Sequence, residues 1–169
     1  QTCGGSRYRG STAFFLTGRP PTSVMLYFAY GANLNLRGMK RLCPKTIVVG
    51  TARLNGYRLE FRGFATIAAD TAGHVPGALY RLTAACWRAL DAFEGPQYVR
   101  TTVMVETRDG TSAAIAYVMK DGVRSPPSVA YFTGIARGYG DWKLDTASLR
   151  RARLATLHPE KSKPVTIGF

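Results

Sequence analysis

The pattern of hydrophobic and polar positions along the chain is clearest at a short apolar run, Met25 to Tyr30. A glycine follows this run, and apolar residues at helical spacing follow the glycine. The run is typical of a buried β-strand. It stops at Gly31, and either Asn33 or Asn35 can cap a helix predicted over Leu36 to Leu42. A strand that passes through glycine into a helix start leaves backbone N–H groups unpaired, and these suit a carboxylate or an oxyanion. An ordinary strand–turn–helix joint has the same spacing, so the pattern leaves both interpretations open.

Alternating and β-branched positions predict the remaining strands. Asn55-Gly56 and Asp109-Gly110 are both strong signals for a hairpin turn, and the second gives the clearest hairpin in the chain. The predicted strands are Thr46 to Leu54, Tyr57 to Phe61, Thr66 to Ala69, Ala78 to Leu82, Tyr98 to Thr107 and Thr111 to Met119.

Three further helices are predicted from spacing and from cap residues. The first runs from Ala84 to Phe93, with Thr83 as its cap, and it ends at Glu94 because Gly95-Pro96 cannot continue it. Its apolar face consists of Cys86, Trp87, Leu90 and Phe93. The second opens at Ser125-Pro126-Pro127-Ser128, passes Tyr131 and Ile135, and is punctuated by Gly138 and Gly140. The third is basic and runs from about Thr146 to Leu157.

The order of these elements is irregular rather than βαβα, which favours an α+β fold with a small, mainly antiparallel β-barrel flanked by helices. A chain of 169 residues is long enough for one domain with a real core. We expect the domain to span 25–145, between a mobile extension over 1–24 and a basic helix and tail over 146–169. Because Met25 directly precedes the first strand, we expect the natural start there.

Composition describes a folded, water-soluble chain, with 46% hydrophobic and 20% charged residues. No run of apolar residues is long enough for a membrane span or an export signal, so we expect a cytoplasmic protein without a membrane partner. The net charge of +13 is partly carried by both ends. Such ends can bind nucleic acid, but no nucleic-acid motif accompanies them, so we expect solvated ends and no such partner.

Cysteine and histidine are too few and too scattered for a metal site. Cys3, Cys43 and Cys86 show no paired spacing, and His74 and His158 add no ligand pattern. We therefore expect no metal and reduced thiols. Cys86 falls within an apolar helical pattern, so we expect it in the core rather than as a nucleophile.

Glu94 is the acid best placed for chemistry. It follows an apolar helix face at the negative end of that helix, so burial and the helix dipole should both raise its pKa. A carboxyl group tuned in this way can exchange a proton near neutral pH. A solvated helix-end glutamate fits the same pattern. Tyr98, Tyr117 and Tyr131 lie near element ends, where a phenol can donate a hydrogen bond in a pocket or simply pack.

Four ordered motifs, at residues 27–34, 76–80, 90–95 and 116–119, resemble the γ-glutamylcyclotransferase family, including its bacterial, γ-glutamylamine and antibiotic-precursor members. The resemblance covers roughly Met25 to Leu144. It implies the barrel described above and release of 5-oxoproline from a small γ-glutamyl compound without a cofactor, as in glutathione metabolism. It also implies a lyase or acyltransferase that is a monomer or a homodimer.

The resemblance also assigns roles to residues. It implies that Glu94 is the general acid/base and that Tyr131 binds substrate, with Tyr98 and Tyr117 as further family tyrosines. The family loop usually has a serine where this chain has Ala32, so a hydroxyl contact is lost while the backbone N–H groups remain. The implied substrate loop comprises Tyr27, Phe28, Ala29, Tyr30, Gly31, Ala32 and Asn33.

Two alternatives stay open within this family. One is a sibling activity on a γ-glutamylamine, on γ-glutamyl-ε-lysine or on a γ-glutamylated natural product. The other is a non-catalytic member that binds a ligand or a partner, and the presence of Glu94 argues against it.

Overall fold

A closed barrel of five strands forms the centre of the computed structural model, which describes residues 25–157. The strands follow the order β1-β3-β2-β4-β5, and β1 closes the barrel by pairing antiparallel with β3 and parallel with β5. The other neighbours are antiparallel, which confirms the predicted α+β class. The strands are β1 (Leu26–Ala29), β2 (Ile47–Arg62), β3 (Phe64–Arg81), β4 (Tyr98–Thr107) and β5 (Gly110–Met119).

Four helices surround the barrel within this part of the chain, and a short 3₁₀ turn over Ala32–Leu34 follows β1. The segments 1–24 and 158–169, predicted as an extension and as part of a basic tail, lie outside the described residues. The proposed division into three parts therefore remains a prediction. The helices are α1 (Leu36–Leu42), α2 (Ala84–Glu94), α3 (Val129–Asp141) and α4 (Ala147–Leu157).

The predicted hairpin at Asn55-Gly56 is wrong. β2 runs straight through this dipeptide, and the chain turns instead at Gly63, whose φ of +75° is left-handed. Gly56 also has a positive φ of +79°, but it lies at an irregularity in the pairing, opposite residues 70–73 of β3. An Asn-Gly pair supplies the positive φ that either a turn or a bulge needs, so local sequence does not distinguish them. The four strands predicted over residues 46–82 therefore merge into β2 and β3.

The predicted helix starts are confirmed by their caps. The Asn35 side chain accepts a hydrogen bond from Gly38 N at 2.8 Å, which makes Asn35 the cap of α1. The hydroxyl oxygens of Thr83 and Ser128 cap α2 and α3 in the same way, each accepting from a backbone N–H at 3.2 Å. However, α3 continues through Gly138 rather than breaking there.

The predicted apolar face of α2 is only partly buried. Cys86 and Leu90 are in the core, whereas Phe93 is 57% exposed. Cys43 and Cys86 are free and buried, and the Cys43 thiol lies 3.6 Å from the carbonyl oxygen of Cys86, within hydrogen-bonding range for a sulfur donor. Cys86 is thus a packing residue, as expected.

The 3₁₀ turn after β1 is held from two sides. The Trp142 indole N–H donates to the Leu34 carbonyl at 2.8 Å, and the Asp141 carboxylate accepts from Leu36 N at 3.0 Å. From β3, the Tyr80 hydroxyl donates to the Asn33 carbonyl at 3.2 Å. The loop of residues 30–35, the β1–α1 loop, is therefore fixed by the end of α3 and by β3.

A buried carboxylate joins the β2–β3 turn to the segment before α3. The Glu60 side chain is only 6% exposed, and it accepts hydrogen bonds from Arg58, Arg62 and Arg124. Burial acts to raise the pKa of Glu60, but the neighbouring arginines hold it below the usual value. Because Gly63 N also donates to the Ser125 carbonyl at 3.1 Å, the turn and the start of α3 form one unit.

None of the helices over residues 25–157 has both the length and the apolar character needed to cross a membrane. Across the same span, no three or more His, Cys, Asp and Glu side chains are grouped so that they could hold a metal ion.

Candidate active site

A cavity of about 290 Å³ opens where the β1–α1 loop, the end of α2 and the β2–β3 turn meet. Its size suits a small molecule. Its polar groups are mostly phenols, amides and backbone groups around one carboxylate. The residues that line it are Tyr27, Tyr30, Gly31, Ala32, Asn33, Phe64, Ala65, Phe93, Glu94, Gln97, Tyr98, Tyr117 and Tyr131.

Glu94 is fixed in this cavity by Asn33. The Asn33 amide donates to Glu94 Oε1 at 2.8 Å and also to the Tyr27 hydroxyl at 2.8 Å. Asn33 is 7% exposed, and its backbone is held by the contacts of the β1–α1 loop. The amide therefore links the glutamate at the end of α2 to a tyrosine of β1, and it holds one carboxylate oxygen while the other remains available.

Burial raises the pKa of Glu94 to about 7, and the Asn33 hydrogen bond acts against that rise. The direction agrees with the expectation from the sequence, and burial is the main cause. A carboxyl group with this pKa is present in both protonation states at neutral pH, so it can accept a proton and return it.

Two tyrosines fix the backbone of Ala65 at the edge of the cavity. The Tyr98 hydroxyl donates to the Ala65 carbonyl at 2.8 Å, and Ala65 N donates to the Tyr131 hydroxyl at 3.2 Å. Because Tyr131 acts as an acceptor in this contact, its own O–H proton remains free to be donated. A Cβ on Gly31 would lie 3.1 Å from Ala65 Cβ, so the β1–α1 loop packs directly against this edge.

The other two tyrosines contribute mainly to the wall. The Tyr30 hydroxyl donates to the Tyr117 carbonyl. The Tyr117 hydroxyl donates to Asp91 Oδ1 at 2.7 Å and accepts from Arg100 Nε at 3.3 Å. Burial raises the pKa of Tyr117 above that of an ordinary phenol. Its hydroxyl is thus occupied by Asp91 and Arg100, while its ring lines the cavity.

The start of the 3₁₀ turn leaves backbone N–H groups of the β1–α1 loop without a partner inside the turn. The first hydrogen bond of the 3₁₀ turn runs from Leu34 N to Gly31 O, so the N–H groups of Ala32 and Asn33 precede it. Both residues line the cavity beside Glu94. These N–H groups can bind an anionic oxygen without any contribution from a side chain at position 32.

The structure brings most of the candidate residues together. Tyr27, Tyr30, Gly31, Ala32 and Asn33 line the cavity with Glu94, Tyr98, Tyr117 and Tyr131. Phe28 and Ala29 do not line it, since they are 0% and 1% exposed and belong to the core. They support the loop rather than the cavity surface.

Four lining residues are not found by sequence reasoning: Phe64, Ala65, Phe93 and Gln97. Phe64 and Ala65 directly follow Gly63, in the connection between two predicted strands, where the sequence offers no chemical motif. The helical spacing places Phe93 on the apolar face of α2, which predicts burial rather than a place at the cavity. Gln97 lies three residues after Glu94, and only that closeness could have indicated it.

Comparisons with known proteins agree with one another. A family model described as gamma-glutamyl cyclotransferase, AIG2-like matches residues 27–144, a span that includes every residue lining the cavity. The chain is 30% identical over 131 residues to a Mus musculus protein named gamma-glutamylcyclotransferase, covering 68% of this chain and 70% of the relative. It is 29% identical over 135 residues to a Homo sapiens protein of the same name, covering 70% and 72%.

A solved structure named gamma-glutamyl cyclotransferase has the same fold. It superposes with a TM-score of 0.69 at 26% identity, covering 76% of this chain and 85% of that chain.

Proposed function

The chain belongs to the gamma-glutamyl cyclotransferase, AIG2-like family, and on that premise we propose that it releases 5-oxoproline from a γ-glutamyl amide. Membership supports a cyclotransferase activity in general. The observation that carries the specific reaction is Glu94, a carboxyl group with a pKa of about 7 held by Asn33 in a cavity of small-molecule size.

The substrate supplies its own nucleophile. Its α-amine attacks the γ-carbonyl carbon, a new C–N bond closes the five-membered ring, and the original amide C–N bond breaks. An α-amino group has an ordinary pKa of about 8, so it is mostly protonated at neutral pH. Glu94 as a carboxylate accepts one proton from the ammonium group, and as the acid it then protonates the departing nitrogen, acting first as base and then as acid. The attacking nitrogen loses a second proton after the new C–N bond forms, and this proton passes to the released amine or to solvent. The products are 5-oxoproline and a free amine.

The cavity favours the reaction by folding the glutamyl chain back on itself. Correct orientation of an intramolecular attack can contribute about 7–11 kcal/mol at the upper end. The N–H groups of Ala32 and Asn33 bind either the α-carboxylate of the substrate or the developing oxyanion. An oxyanion donor typically contributes about 3–4 kcal/mol.

The proposal includes an enzyme of the lyase or acyltransferase type that needs no cofactor, because Glu94 and the substrate supply the base, the acid and the nucleophile. The free, buried thiols of Cys43 and Cys86 support a reducing, cytoplasmic setting. A monomer or a homodimer and the absence of a nucleic-acid partner stay predictions.

The activity can be tested with a panel of γ-glutamyl amino acids, γ-glutamyl amines, γ-glutamyl-ε-lysine and glutathione, with 5-oxoproline and the released amine both quantified. We expect at least one member to give both products in equal amounts, including after treatment with a chelator. Binding of these compounds without product from any of them would instead indicate a non-catalytic member of the family.

Restoring the family serine with Ala32→Ser is expected to change turnover by no more than a few-fold. Backbone N–H groups provide the anion contact at this position, and a serine leaves them in place. Steady-state kinetics on the best substrate of the panel measure the effect. A gain of a hundred-fold would show that the missing hydroxyl, rather than the backbone, limits this loop.

Asn33→Ala is expected to move the acidic limb of the pH–rate profile to a higher pH than in the parent. The Asn33 hydrogen bond lowers the pKa of Glu94, so its loss lets burial raise that pKa further above about 7. Turnover at pH 7 should fall, since less of Glu94 is then a carboxylate. Asn35→Ala is the matched control, because it costs about 1 kcal/mol of capping energy and should leave the limb in place. If the acidic limb of the pH–rate profile lies at the same pH in Asn33→Ala as in the parent, the Asn33 hydrogen bond does not lower the pKa of Glu94.

A further inference from the structure

The mouth of the cavity is aromatic and apolar, unlike its polar inner wall. Phe64 is 52% exposed and follows the β2–β3 turn, while Phe93 is 57% exposed and lies at the end of α2. Both line the cavity. Single exposed phenylalanines are common on protein surfaces, but these two belong to one concave site and come from separate elements.

Phe64 is held in a fixed orientation. Its ring packs edge-on against Tyr131, with ring centroids 5.2 Å apart and planes at 87°. Tyr131 is itself fixed by its contact with Ala65 N, and the Glu60 carboxylate binds Arg124 in the segment before α3. The Phe64 side of the mouth is therefore preorganised, which favours binding of a flat apolar group there.

The charges of the residues that line the cavity also favour binding of an apolar group. Among the residues of 25–157 that line it, Glu94 is the only charged side chain, with no Lys, Arg or His. The N–H groups of the β1–α1 loop are already assigned to the α-carboxylate of the substrate or to the developing oxyanion. A second carboxylate on the leaving group would lose water at the mouth without a cation to pair with, and it would lie near Glu94.

Within the described part of the chain, two cationic residues form hydrogen bonds with residues that line the cavity, and neither lines it itself. Lys120 makes its contact through the backbone, where its N–H donates to the Gln97 carbonyl at 3.0 Å. Arg100 donates to the Tyr117 hydroxyl, but its guanidinium makes two hydrogen bonds to Asp91, at 2.8 and 2.6 Å. It also lies 4.5 Å from the centre of the Trp87 ring. These contacts hold Arg100 in place at Asp91, so it does not supply a free charge to the cavity.

We propose that the substrate is a γ-glutamyl amide whose leaving amine is apolar or aromatic and carries no carboxylate. Phe64 and Phe93 are then the specificity-determining residues. This inference rests on the proposed cyclotransferase reaction and selects one substrate class within it.

The test uses four substrates that differ in two features. They are γ-glutamyl-phenylalanine, γ-glutamyl-phenethylamine, γ-glutamyl-alanine and γ-glutamyl-ethylamine. Removing the carboxylate from either amino acid gives the corresponding amine, and the aromatic and small pairs differ in the ring. Release of 5-oxoproline from each gives kcat/KM, so the effect of the carboxylate and that of the ring are measured separately and twice.

The parent is expected to prefer each amine over its matched amino acid, and phenethylamine over ethylamine, by about ten-fold or more in kcat/KM. In Phe64→Ala/Phe93→Ala the preference for the ring should fall to about two-fold. In Phe93→Arg the penalty for the carboxylate should shrink or reverse. Because a new cation also affects Glu94 with every substrate, the ratio within each pair is compared rather than the rate.

Met104→Ala is the matched control, since Met104 is 57% exposed on β4 and does not line the cavity. The ratio of kcat/KM values within each substrate pair should be the same in Met104→Ala as in the parent. Equal or faster reaction of the two amino acid substrates in the parent, or unchanged ratios in both phenylalanine variants, would overturn the inference while leaving the reaction intact. No 5-oxoproline from any of the four or from the wider panel would instead overturn the proposed function.

Discussion

Glu94→Gln is expected to fold like the parent and to turn over its substrate at least 10²–10⁴-fold more slowly, the typical cost of losing a general acid/base. Glutamine keeps the size of the side chain and can still accept the Asn33 hydrogen bond, which is 2.8 Å in the parent. It cannot carry the proton from the ammonium group to the leaving amine. Substrate affinity should change little, so the loss should appear in kcat rather than in KM.

The pH profile gives a second measurement on the same variant. Because burial raises the pKa of Glu94 to about 7, the parent should lose activity as the pH falls through that value. That limb should be absent from the residual activity of Glu94→Gln. Near-parental turnover on a substrate that the parent cyclises would show that another group moves the proton.

Stability should respond to pH in the opposite sense. The pKa of Glu94 is raised from 4.5 to about 7 in the folded state, so the folded state binds the proton more tightly than the unfolded chain. The parent therefore loses stability relative to Glu94→Gln as the pH rises from about 4.5 to about 7, by about 1–3 kcal/mol. Urea unfolding of both proteins at pH 4.5 and pH 8 measures the difference.

Gly138→Ala is expected to lower the free energy of unfolding by about 2 kcal/mol or more and to reduce activity as well. A Cβ at this position would lie 2.7 Å from both Asn35 N and Leu34 Cβ, so α3 and the β1–α1 loop would have to separate. That loop carries Asn33, and its displacement would misplace Glu94. Thermal unfolding should show a fall in Tm of about 4 °C or more.

Gly134→Ala is the matched control on the same helix. No atom lies within 4 Å of a Cβ placed at Gly134, so this change meets nothing. It should leave activity unchanged and should stabilise the helix by up to about 1 kcal/mol, because alanine has the higher helix propensity. Equal stability of the two variants would show that α3 tolerates a side chain against the loop.

Local signals predicted most of the elements that surround the site. The apolar run before Gly31, the cap at Asn35 and the Gly95-Pro96 break after Glu94 each have a direct physical cause within a few residues, so their positions are confirmed. The direction of the pKa shift of Glu94 follows from the same kind of argument. Tyr131, which lies far from Glu94 along the chain, is a candidate from its place near an element end, and the family resemblance implies its role in binding substrate.

The two long strands could not be predicted in the same way. Whether Gly56 makes a turn or an irregularity depends on the partner strand, which local sequence does not contain. Phe64 and Ala65 line the cavity because they directly follow the turn at Gly63, and only the pairing of β2 with β3 shows that this turn lies beside Glu94. The burial of Phe93 also depends on tertiary packing. Helical periodicity shows which residues share a face of the helix, but not which other elements cover that face.

The closure of the barrel by β1 has a consequence for folding. Tyr27 of β1 pairs with Tyr80 of β3 and with Ile115 of β5, contacts that span much of the chain and require long loops to close. The β4–β5 hairpin, by contrast, forms from neighbouring residues. Until β1 is inserted, neither Tyr27 nor the β1–α1 loop faces Glu94. We therefore expect enzymatic activity to return later in refolding than the β4–β5 hairpin forms.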